Sequence, residues 1–161
     1  MITQTELKSK LHYDPETGLF TWLVTKNGCK IGGVAGSPNG DRYIRIMMNN
    51  KHYAAHRLAF LYMTGASPEN QIDHINGTKD DNRWKNLREA TNTQNKMNSK
   101  VYKSNKLSIK GVWARGNKFR AKIVVSGKRY NLGTFRTKED ASQAYEDFAK
   151  QSFGEFYHET V

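Results

Sequence analysis

Along the first half of the chain, apolar and polar positions alternate over short runs, and helical spacing appears in only a few places. The turn sequence Asp14-Pro15-Glu16-Thr17-Gly18 precedes Leu19-Phe20-Thr21-Trp22, a short strand. Gly28, Gly32, Gly33, Gly36 and Gly40 break the next segment into loop and hairpin. Tyr43 to Met47 alternates as a strand, and Asn49-Asn50 supplies its turn. From His56 to Tyr62 the spacing changes. Leu58, Leu61 and Tyr62 share one helical face, and Gly65 follows its end.

Ile72 then leads into Asp73-His74, and Asn76-Gly77 is a tight-turn signal. Asn86 to Ala90 reads as the returning strand. Thr91 and Gln94 have the spacing of a capping box, so a helix begins near Asn92. Asn95 falls in its first turns and Asn98 one turn later. The local order is strand, loop, strand, helix. Asn98 to Ser108 is polar, rich in lysine and without periodicity, and residues 99–107 within it read as a linker. A regular block follows. Gly111 to Arg115, Lys118 to Val125 and Lys128 to Phe135 are three strands joined by turns at Gly116-Asn117 and Ser126-Gly127. Thr137 caps a helix running to about Ser152, with Ala141, Ala144, Tyr145 and Phe148 at helical spacing. The pattern predicts an α+β protein, with a first domain at 1–98 and a second at 108–161. The second is a three-stranded antiparallel sheet packed on one helix.

Charge narrows the class of partner. Net charge is +11 over 161 residues, with a pI near 9.8. Residues 1–98 carry 13 basic and 9 acidic groups, and residues 99–161 carry 13 and 6. The shorter part therefore holds more of the excess. A polyanion is the natural partner, and nucleic acid is the commonest. A solvated basic surface is the plainer alternative. Nothing resembles a membrane span or a signal peptide, so no membrane partner is expected. Cys29 is the one cysteine, which excludes an internal disulfide and a multi-cysteine zinc site. It reads as a small packing residue in a cytoplasmic protein.

The chemistry concentrates at Asp73-His74. A carboxylate, a neutral imidazole and a second oxygen ligand suffice to hold one hard divalent metal and activate a water beside it. The run Asp73-His74-Ile75-Asn76-Gly77, Asp81-Asn82-Arg83 and Asn86-Leu87-Arg88 resembles the HNH (His-Asn-His) endonucleases of the phage and intron homing type. The resemblance covers residues 56–98, and residues 12–58, including His56-Arg57-Leu58-Ala59, resemble the N-terminal part of such phage enzymes. It implies a ββα-metal fold, a hairpin and helix gripping one ion. By position, His74 matches the general base and Asp73 a metal ligand. Asn86 matches the middle Asn that orients the loop and the base. Asn95 matches the helix position that reaches the metal and is His in many members. An amide oxygen there favours Mg²⁺ or Mn²⁺ over Zn²⁺. Asn98 is a second ligand candidate. His56 and Asn82 are candidate supporting residues. Arg57, Arg83 and Arg88 are candidate clamps on the scissile phosphate, with surface ion pairs as the alternative for all three.

Residues 108–157 resemble the ethylene-response-factor (APETALA-type) DNA-binding domain. The matching wording is Gly111-Val112, Phe119-Arg120-Ala121-Lys122-Ile123, Gly127-Lys128-Arg129 and Leu132-Gly133-Thr134-Phe135, then the helix to Phe156. That family lays its sheet in the major groove, and Trp113, Arg115, Phe119, Arg120, Lys122 and Arg129 match or neighbour the sheet positions that meet DNA. Strand alternation puts Lys118, Arg120 and Lys122 on one face and Phe119, Ala121 and Ile123 on the other. With Phe119 in the core, the Arg120 face is the one that meets DNA. The expectation is a monomeric, metal-dependent DNA endonuclease acting on double-stranded DNA, with no small-molecule cofactor. In a phage-encoded version it works in the host cytoplasm. The alternatives are a DNA-binding regulator with an inactive nuclease domain and an RNA-directed nuclease.

Overall fold

Thr3 opens the first helix. Its hydroxyl accepts from the Glu6 amide, and α1 runs Gln4–Lys10 with Leu7 as its buried anchor. The chain turns directly into β1 (Leu11–Tyr13), which pairs antiparallel with β2 (Phe20–Trp22). Between them the Asp14 carboxylate accepts from the Glu16 and Thr17 amides, closing the expected turn. A computed structural model describes residues 2–25, 28–97, 101 and 105–156.

A three-stranded sheet follows: β3 (Ser37–Pro38), β4 (Ile44–Met48) and β5 (Lys51–Ala54). Asn49 and Asn50 both have positive φ, 52° and 58°, as a two-residue hairpin turn requires. Ile46 and Met48 are fully buried while Tyr43 and Arg45 alternate away from that core. Helix α2 (Ala55–Thr64) buries Leu58, Ala59 and Leu61 and ends at Gly65 in the left-handed conformation. Then β6 (Gln71–His74) pairs antiparallel with β7 (Leu87–Ala90), in a register that sets Asp73 opposite Arg88 and His74 opposite Leu87. A 3-10 turn at Trp84–Asn86 leads into β7. One hydrophobic cluster unites Leu7, Leu11, Tyr13, Phe20, Trp22, Ile46, Met48, Leu58, Ile72 and Leu87, with Cys29 packed against it.

These elements form one unit, Met1–Ala90, and Thr91–Val161 forms another. The division falls earlier than the expected boundary at residue 98, and helix α3 (Asn92–Met97) belongs to the second unit. The capping box that starts α3 is complete. The Gln94 side chain accepts from the Thr91 amide at 2.8 Å, and the Thr91 hydroxyl accepts from the Gln94 amide at 3.3 Å. Asn98 and most of the 99–107 linker lie outside the described residues.

In the second unit, β8 (Val112–Arg115), β9 (Lys118–Val125) and β10 (Lys128–Phe135) form an antiparallel sheet with β9 in the centre. Helix α4 (Lys138–Phe153) is capped by the Thr137 hydroxyl, which accepts from the Asp140 amide. Two small clusters join helix to sheet. Ile123, Tyr145, Ala149 and Phe153 form one, and Val112, Ala121 and Ala141 the other, with Phe119 and Phe135 against it. No described helix is long and apolar enough to cross a membrane. The chain is thus a mixed α+β protein of small sheets and short helices.

Candidate active site

Strand β6 is continuous with the core on one side and ends in Asp73-His74 on the other. Both residues are buried, as are Asn82 and Asn86, and these four are the only buried polar or charged side chains among the described residues. Four such groups in one hairpin and its loop carry a desolvation cost that hydrogen bonds must offset.

They are bonded to one another and to the loop. Asp73 pairs with Arg88 across the hairpin, where the guanidinium Nε and Nη2 both donate to Oδ2, at 3.0 and 2.9 Å. The Asn86 Oδ1 accepts from the Asn76 amide at 2.9 Å, and its Nδ2 donates to the Asp81 carbonyl at 2.7 Å. One side chain therefore ties both ends of the 76–81 loop. Asp81 is held in turn by Arg83, whose Nε donates to Oδ1 at 2.7 Å, and by the Asn76 side chain, whose Nδ2 donates to Oδ2 at 2.7 Å. Those bonds hold its carboxyl down at about 2. The His74 Nε2 lies 3.2 Å from Asn82 Oδ1.

An aromatic wall flanks His74. The His56 ring stands edge-on to it at 5.1 Å, and the Tyr43 ring lies 5.8 Å from it and 5.1 Å from His56. Lys79 sits over the Tyr43 ring at 4.7 Å and donates to the Asp41 carbonyl. Burial pushes the His74 imidazole below its usual value, against the raising effects of the Asn82 hydrogen bond and of Asp73, Asp81 and Asp80. Burial also pushes His56 down, to about 3, with the neighbouring His74, Arg57 and Arg45 acting the same way. Both rings are neutral near pH 7, the form that can accept a proton or a metal.

All three arginines considered as phosphate clamps are engaged within the chain. Arg57 donates to the Asn70 and Pro68 carbonyls and so ties down the loop after α2, while Arg83 holds Asp81. Arg88 holds Asp73. Asn95 is half-buried in α3, in the second unit. Tyr43, Tyr13 and Lys79 did not stand out in the sequence. For Tyr43 the alternation leading into β4 was the one signal, since it turns the ring away from the Ile46 and Met48 core.

The outward face of the second unit's sheet collects the basic residues. Register pairs Trp113 with Arg120 and Arg120 with Thr134, while Arg115 faces Lys118, Lys122 faces Asn131 and Val124 faces Arg129. Trp113 is 48% exposed. The Lys122 ammonium is pushed below its usual value by Arg120 first, then by partial desolvation and by Arg129 and Arg115. No strand of this sheet carries a carboxylate, whereas α4 on the opposite face carries Glu139, Asp140, Glu146 and Asp147. The unit is polarised, basic on the sheet and acidic on the helix.

Comparison with known proteins decides the family. The HNH endonuclease family matches residues 53–97, the stretch from β5 through α2 and the β6–β7 hairpin to α3. An uncharacterized HNH endonuclease of Acanthamoeba polyphaga mimivirus is 35% identical over 143 residues, covering 88% of this chain and 67% of its own. This chain belongs to the HNH endonuclease family. No solved structure gives a significant match. This HNH endonuclease is accordingly a nuclease, and the family generally uses a divalent metal and acts on DNA. Among its described residues, no three His, Cys, Asp or Glu side chains group to hold an ion. One carboxylate together with amide oxygens, substrate oxygens or water is a donor set that a hard divalent cation accepts.

Proposed function

We propose that this protein is a homing- or phage-type endonuclease that cuts double-stranded DNA by hydrolysis with one Mg²⁺ or Mn²⁺ ion. The observation that carries the reading is the buried Asp73-His74 pair at the end of β6, with Asn82 on the imidazole and Asn86 fixing the loop beside it. His74 is the general base. Its neutral imidazole takes a proton from a water whose oxygen attacks phosphorus, and the bond to the 3′ oxygen breaks. Asp73 is the carboxylate ligand, held in orientation by Arg88. Asn95 is the amide ligand, an assignment that stands on its sequence position. A divalent metal bound there supplies charge stabilisation at the phosphate and the leaving oxygen.

The second unit resembles an ethylene-response-factor domain, and in this reading its sheet is the DNA tether. Trp113, Arg115, Arg120, Lys122 and Arg129 meet the duplex from the basic face. A tether raises the effective concentration of the cutting unit at its target.

Incubation of supercoiled plasmid with the full chain tests the enzyme. Nicked or linear product is expected with Mg²⁺ or Mn²⁺ and none with EDTA, and cutting that persists in EDTA contradicts a metal-dependent reaction. Salt dependence tests the tether. Binding of a duplex should weaken linearly on a log–log plot against salt, and each of Arg120→Ala and Arg129→Ala should reduce the slope by about 1. Unchanged slopes in both variants would remove the sheet face as the tether.

A further inference from the structure

We infer that Asn82 is the positioning residue that fixes the tautomer of His74, making Nδ1 the nitrogen that accepts the water's proton. The inference rests on His74 as the general base and adds which atom acts and what selects it.

The argument begins with the Asn82 amide. It is 3% exposed, so its orientation is set by partners within the chain. Its Nδ2 donates to the Asp80 carbonyl at 3.3 Å. A carbonyl only accepts, so the nitrogen end of the amide must face Asp80, and the oxygen end then faces His74. Oδ1 can only accept. The His74 Nε2 at 3.2 Å must therefore carry the hydrogen. A neutral imidazole has a single ring proton, which leaves Nδ1 with the lone pair.

Asn82 is itself braced from a distant part of the sequence. The Tyr13 hydroxyl donates to the Asn82 carbonyl at 2.6 Å, and the Trp84 amide donates to the Pro15 carbonyl at 2.9 Å. Gly18, with φ of 75°, packs so closely on the Asn82–Arg83 peptide that a Cβ there would collide with it. The β1–β2 hairpin thus grips the Asn82–Arg83 peptide and the Trp84 amide just after it. This explains why the stretch before the nuclease motif is built as it is: its tight turn reaches the loop that sets the base.

In the reaction, water gives its proton to Nδ1, its oxygen bonds to phosphorus, and the bond to the 3′ oxygen breaks. His74 becomes an imidazolium whose Nε2–H still points at Oδ1. The Asn82 carbonyl dipole stabilises that positive charge as it forms.

The test combines a spectrum with a variant pair. In full-length protein with ¹⁵N-labelled histidine at neutral pH, the His74 signals are identified by their loss in His74→Gln. Nε2 is expected to be protonated and Nδ1 unprotonated. Asn82→Leu keeps the side chain's bulk and removes the acceptor. It should lower kcat by roughly 10- to 100-fold, the scale on which orienting partners of a reactive histidine act, with KM nearly unchanged. Asn82→Asp restores an acceptor and should recover most of that loss. Protonation at Nδ1 in the wild type overturns the inference, whether or not Asn82→Leu folds. So does a folded Asn82→Leu with wild-type kcat. The two readings fail separately. A His74→Ala variant that still cleaves removes His74 as the base, whereas a His74-dependent enzyme protonated at Nδ1 removes only the assignment made here.

Discussion

At the scale of single residues, the site is a set of polar groups buried at the end of a strand and satisfied locally. Asp73, His74 and Asn86 could be picked out in the sequence because their spacing is tight and their chemistry distinctive. Their partners were harder to see. Asn82 stood only as a candidate supporting residue, and its bond to His74 spans a loop whose path only the fold defines. Tyr43 carried no chemical signal, yet its ring lies against both imidazoles. His56 has a consequence for stability. It is held neutral, at about 3 against an ordinary value of 6.5, by burial first and then by His74, Arg57 and Arg45, with Asp41 opposing. Its folded-state affinity for protons is depressed. The stability it contributes is therefore fully present above about 6.5 and drains away as pH falls toward about 3, while the unfolded chain takes up a proton that the folded chain refuses. The midpoint of urea unfolding should drop steadily as pH falls from 6.5 to 4. His56→Phe should flatten part of that drop, and an identical slope in the variant contradicts the account.

At the scale of elements, the second unit was the most legible. The strands β9 and β10 and the α4 cap at Thr137 match the sequence reading, because clear alternation and turn residues at each end leave little freedom. The first unit was less so. Helix α1, strand β1 and strand β5 went unread. Each is only a few residues long, and α1 buries one side chain, Leu7, too few for a period to show. The Asp14–Gly18 turn was read as a turn, but its place against the Asn82–Arg83 peptide could not be. That contact makes Gly18 a sensitive position. Gly18→Ala brings left-handed backbone strain and a collision, together about 2 kcal/mol. For a chain of this size that lowers Tm by roughly 4–8 °C. Cleavage measured well below Tm should also fall, because the peptide that displaces is Asn82's. A variant with wild-type Tm would show that the turn does not press on the loop as described.

At the scale of the whole molecule, the family follows from the match over residues 53–97 and from a viral relative aligned along most of the chain. The positive charge visible in the composition proved to be sorted. Within the second unit, Arg115, Lys118, Arg120, Lys122 and Arg129 lie on one face of a sheet whose other face is covered by a helix carrying four carboxylates. Repulsion among Arg115, Arg120, Lys122 and Arg129 works against folding, and in the proposed reading a bound polyanion would relieve it. The central claim remains the chemical role of His74 at the end of β6. Single-turnover cleavage of a pre-bound DNA duplex, with enzyme in excess and Mg²⁺ present, separates that role from binding. The account predicts that His74→Ala holds the duplex with near wild-type affinity and cleaves it at least 100-fold more slowly, the lower end of what a positioned general base contributes. Near-normal cleavage by that variant would contradict it.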